Sequence, residues 1–77
     1  MIDKEHRIKY LIDSTTDKLV QSVMEDRHLP VVQAMTLVYN SRVFAVLREP
    51  ASELYVQSPD YIYTFLQEEL NNNTVTT

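Results

Sequence analysis

Glycine is absent from this chain of 77 residues, and no other absence excludes as much. Phosphate-cradling loops, nucleophile elbows and two-residue hairpin turns need backbone at positive φ or very close approach, which glycine supplies. Its absence argues against a nucleotide-binding loop or a hydrolase elbow. It leaves helices joined by turns of Pro, Asn and Ser, with Asn40 the residue best suited to stand in for glycine. Cysteine is also absent, which removes disulfides and thiolate metal sites together. A chain this short buries only about 60–65% of its unfolded surface, and roughly 5 kcal/mol of stability or somewhat less is expected. A partner, or a second copy, is the staple that remains.

Positive charge is scarce: seven Lys and Arg face eleven Asp and Glu, for a net charge of −4. Phosphate binding favours the opposite sign, so nucleic acid and anionic lipid are repelled at long range. No apolar run is long enough to span a bilayer. Residues 1–10 alternate charged and apolar side chains where a signal peptide needs a continuous apolar stretch. A cytoplasmic location and no membrane partner are the expectations.

What is present reads as an all-α fold. One domain is expected over residues 1–70, a small bundle of three to four helices with a short extended segment before the last, and a disordered tail over 71–77. Ile8, Leu11, Ile12, Thr15, Leu19 and Val23 repeat at helical spacing and predict one long helix from about Asp3 to Asp26, widened by Val20 and Met24. Its other face carries Glu5, Lys9, Asp13, Asp17 and Gln21. Ser14-Thr15-Thr16 is a run of poor helix formers, where a bend is expected. Pro30 ends that helix and opens a second to Tyr39, whose apolar residues (Val31, Val32, Ala34, Met35, Leu37, Val38) cover nearly its whole circumference. That pattern predicts burial on several sides, at the centre of the fold.

Ser41 is the expected cap of a third helix to about Glu49, with Val43, Phe44, Val46 and Leu47 buried and Pro50 as its stop. Ala51 to Gln57 is too short for a stable helix and reads as extended, or as one turn leading into an extended stretch. Ser58-Pro59-Asp60 is a sharp helix start. The last helix is expected to run to Asn71, with Ile62, Phe65, Leu66 and Leu70 inward and Gln67 and Glu68 outward.

No catalytic constellation emerges from the residues. His6 and His28 stand about 30 Å apart along the first helix, too far to share a metal or a proton relay. The pairs Glu25/Asp26 and Glu68/Glu69 diverge by about 100° on a helix and read as solvated helix ends. Ser41 and Ser58 are explained as caps. No catalytic residue, metal ligand or cofactor is therefore assigned, and an enzyme is not expected. The second and third helices meet at Asn40-Ser41 in a corner like that of a helix-turn-helix, with Arg42 and Arg48 on the would-be recognition helix. DNA binding is the alternative reading, weakened by the short apolar helix and by two arginines making a thin electrostatic footprint. Five tyrosines remain. Tyrosine suits interfaces, offering large area at low entropy cost, and Tyr39, Arg42, Tyr55 and Tyr63 are the candidate partner-binding residues. High Val, Leu and aromatic content also makes self-association an expectation.

Three spaced motifs carry a resemblance over residues 33–70. These are Leu37-Val38-Tyr39-Asn40-Ser41-Arg42-Val43-Phe44-Ala45-Val46-Leu47, then Leu54-Tyr55-Val56-Gln57-Ser58-Pro59, then Tyr61-Ile62-Tyr63-Thr64-Phe65-Leu66-Gln67-Glu68-Glu69-Leu70. In this order they resemble a family of short uncharacterised bacterial proteins, a domain of unknown function often encoded beside ADP-ribosyltransferase-like toxin domains. The resemblance implies a non-catalytic accessory or antitoxin-like binding protein whose partner is another protein, a toxin encoded nearby. A glycine commonly precedes the Leu-Tyr step in that family. Here Glu53 stands in its place, which leaves the shape of the Ala51–Leu54 turn open.

Overall fold

The structure, a computed structural model, describes residues 4–75, and the backbone alone for 73–75. Four helices and no strand make up the described residues: α1 (Lys4–Arg27), α2 (Val31–Tyr39), α3 (Arg42–Leu47) and α4 (Pro59–Val75). At 1.5 Å per residue α1 is about 36 Å long, and it sets the long axis of a molecule measuring 47 × 22 × 18 Å. Helix α1 runs unbroken through Ser14-Thr15-Thr16, where a bend was expected. Both threonines are buried, and the Thr16 hydroxyl donates to the Ile12 carbonyl at 2.7 Å, so its polar group is satisfied within the helix.

Helix α1 ends on a left-handed residue. His28 has φ 55°, and the Leu29 amide reaches back to the Met24 carbonyl at 3.2 Å. That is a Schellman closure, with Leu29 and Met24 both half-buried against the core as the hydrophobic contact beside it. Pro30 then caps α2 with extended backbone, where the sequence placed it inside the helix.

The centre of the fold is α1, not α2. Ile12, Leu19, Val20 and Val23 from α1 pack with Ala34 and Val38 from α2, Leu47 from α3, and Ile62, Leu66 and Leu70 from α4. Helix α2 buries only Ala34 and Val38, with Leu37 half-buried, while Val31, Val32, Met35 and Tyr39 are exposed. A helix apolar all round has no periodicity to say which side turns inward. With α1, α2 and α4 sharing one core, a single side of α2 suffices. Two other residues expected inside are also exposed. Val46 lies on the outer side of α3, and Phe65 turns out of α4 to stack edge-on against Tyr61, ring centroids 5.0 Å apart. The inward row of α4 is Ile62, Leu66 and Leu70, at strict four-residue steps.

Between α3 and α4 the chain makes two 3-10 turns, Pro50–Ser52 and Leu54–Val56, hinged at Glu53 with φ 57°. Neither reading open for this stretch, extended or one turn leading into an extended stretch, is found: two turns fill it, and extended backbone begins at Gln57. The Ser52 hydroxyl pins it, lying 2.7 Å from the Val46 carbonyl and 2.8 Å from that of Glu49, and accepting from the Leu54 amide at 3.2 Å. Ser58 caps α4 as expected, accepting from Tyr61 at 3.2 Å. The backbone of α4 stays helical to Val75, past the expected end at Asn71. Residues 76 and 77 of the expected tail lie outside the described residues.

Candidate functional site

Helix α3 is six residues long, too short to persist alone, and its amino end is built by two other segments. The Ser41 hydroxyl accepts from the Phe44 amide at 3.0 Å and donates to the Val38 carbonyl at 2.6 Å. The first two amides go elsewhere: Arg42 donates to Glu69 Oε2 at 2.7 Å and Val43 to Glu69 Oε1 at 3.1 Å. One carboxylate from α4 thus spans the start of α3 and complements its dipole. Glu69, read from the sequence as a solvated helix end, is a long-range cap. A separation of 26 and 27 residues from its partners put it beyond any local signal.

Asp26 is the second carboxylate whose role was missed. It accepts from the Tyr63 hydroxyl at 2.7 Å, with Gln67 Nε2 at 3.5 Å and the Ser22 carbonyl 3.3 Å from the same hydroxyl. Burial, then the hydrogen bond to Asp26 and its negative charge, push the Tyr63 phenol up to about 12. The next residue, Arg27, donates at 2.9 Å to Asn71, one helical turn beyond Gln67 on α4. This polar seam joins the carboxyl end of α1 to α4.

The four candidate partner-binding residues are not brought together. Tyr63 is committed to the seam. Tyr55, in the second 3-10 turn, packs half-buried against the core. Arg42 lines an open cleft of about 430 Å³ with Phe65, Glu68, Glu69 and Asn72. Tyr39 alone stands on exposed apolar surface. It packs edge-on against Phe44, centroids 4.9 Å apart, and the two rings wall a separate cleft of about 300 Å³ completed by Asp13, Thr16 and Asp17.

That cleft lies at one end of the exposed face of α2. Val31, Met35 and Tyr39 follow at four-residue steps with Val32 beside them, an uninterrupted apolar ridge on which Val32 is 70% exposed. Helix α2 carries no charged residue. Its amino-terminal half also borders a groove of about 420 Å³ formed by Leu29, Val32, Gln33, Thr36 and Leu37.

Among the described residues no three metal-ligating side chains converge, and no helix is long and apolar enough to cross a membrane. No family model, curated protein or solved structure matches this chain.

Proposed function

We propose that this chain is a non-catalytic protein-binding module, the antitoxin-like or accessory member of a bacterial gene pair. The observation that carries this reading is the α2 ridge. A domain with room for only one small core leaves Val31, Val32, Met35 and Tyr39 in water, where contiguous apolar surface marks an interaction site. The carboxylates paired in sequence support it too, since Asp26 and Glu69 hold helices together. The resemblance over residues 33–70 supplies the gene-pair context.

The reading is tested by co-expressing the chain with the product of the neighbouring gene. Co-elution in size-exclusion chromatography is expected, lost with Val32→Asp. Independent elution of the two proteins at micromolar concentration removes the reading.

DNA binding through the Asn40-Ser41 corner finds less support. The amino end of α3, which would face phosphate, already holds the Glu69 carboxylate. Arg42 shares its cleft with Glu68 and Glu69. Two negative charges beside the leading arginine oppose a phosphate backbone.

A further inference from the structure

Tyr39 belongs to two features at once: it ends the α2 ridge and it walls the cleft that holds Asp13 and Asp17. Those two carboxylates sit four residues apart on α1, both exposed, and no cation pairs with either among the described residues. Like charges at that spacing repel mildly, and a cation between them relieves the repulsion. The adjacent Tyr39 and Phe44 rings offer a cation aromatic surface as well.

From this juxtaposition we propose that the ridge and the cleft form one docking surface for an amphipathic, basic segment of a partner protein. Apolar side chains of that segment cover Val31, Val32 and Met35. An arginine or lysine beyond them enters the cleft between Asp13, Asp17, Tyr39 and Phe44. The proposal rests on the protein-binding reading and specifies the partner's chemistry. A net charge of −4 speeds encounter with a basic partner.

A second copy of the chain fits this surface poorly. Helix α2 has no basic residue to bring into the facing cleft, and Arg27, just before it in sequence, is held by Asn71. A copy laid ridge to ridge covers the apolar side chains and leaves Asp13 and Asp17 without a counter-charge.

The test uses fluorescence anisotropy with synthetic helical peptides bearing a leucine stripe and two arginines at one end or the other. Matched peptides carry glutamate in place of arginine. Saturable binding of an arginine peptide is expected, at least about tenfold tighter than its glutamate counterpart. Two half-exposed charge contacts predict a weakening of roughly five- to tenfold in the Asp13→Asn/Asp17→Asn double variant. Met35→Asp abolishes binding. All three side chains are exposed, so far-UV circular dichroism should show each variant folded.

Equal binding of the two peptide classes, indifference to the double variant, or no binding of any arginine peptide overturns the proposal. So does a light-scattering mass of two chains that Val32→Asp returns to one, which assigns the ridge to a second copy. A neighbour-encoded partner whose capture needs Val32 but ignores Asp13 and Asp17 keeps the binding function and removes the basic specificity.

Discussion

Left-handed backbone costs a residue with a Cβ about 1–2 kcal/mol relative to its right-handed form, and this glycine-free chain adopts it at His28 and Glu53. Both positions end a helical segment where the following residues must turn. Replacing either with glycine removes the steric cost, partly offset by the greater freedom of the unfolded chain. Glu53→Gly and His28→Gly are each expected to stabilise the fold by about 0.5–1 kcal/mol, read as a raised urea midpoint at unchanged slope.

Tyr63 sets a second residue-scale expectation. The unfolded phenol ionises near 10 and the folded one near 12. Its contribution to stability is therefore intact below pH 10 and lost as pH climbs from 10 to 12. Absorbance titration at tyrosinate wavelengths should show a late-ionising phase, absent in Tyr63→Phe and moved to lower pH in Asp26→Asn. A titration with no such phase in the parent protein counts against the Tyr63–Asp26 hydrogen bond.

At the scale of elements, the helix starts were readable because local chemistry fixes them. Ser41 caps α3, Ser58 with Pro59 opens α4, and Pro30 separates α1 from α2. What stayed hidden were relations between elements. The inner side of α2 could not be chosen from a sequence apolar all round, and the outward turn of Phe65 depends on there being no element over it. The Glu69 cap is another such relation, and it yields a prediction. Glu69→Ala leaves two amides of α3 without their acceptor and should cost about 1–2 kcal/mol. Hydrogen exchange at Arg42 and Val43 should quicken first. Ser41→Ala should cost about the same, because its hydroxyl both caps α3 and holds the end of α2. Of the candidate site, the sequence indicated Tyr39. Tyr55 and Tyr63 instead lie half-buried against the core, Tyr63 held there by its bond to Asp26.

For the molecule as a whole, one small core and one uncovered ridge predict opposite responses to similar substitutions. Val32→Asp and Met35→Ser should change stability by within about 0.5 kcal/mol, since neither side chain is in the core. Leu66→Ala removes a fully buried side chain and should cost about 2–5 kcal/mol, a large share of the stability expected of a domain of this size. Thermal denaturation of the three variants in parallel separates interface from core. A large loss with Val32→Asp contradicts the exposure of the ridge.

The carboxylate that α4 lends to α3 also has a bearing on biosynthesis. Chains grow from the amino end, so the short helix leaves the ribosome before the segment that completes its first turn. Until then the nascent polypeptide also lacks Ile62, Leu66 and Leu70, leaving the inner side of α1 open to chaperones and proteases. Truncations that stop short of Glu69 should therefore be degraded in cells rather than accumulate as partly folded fragments.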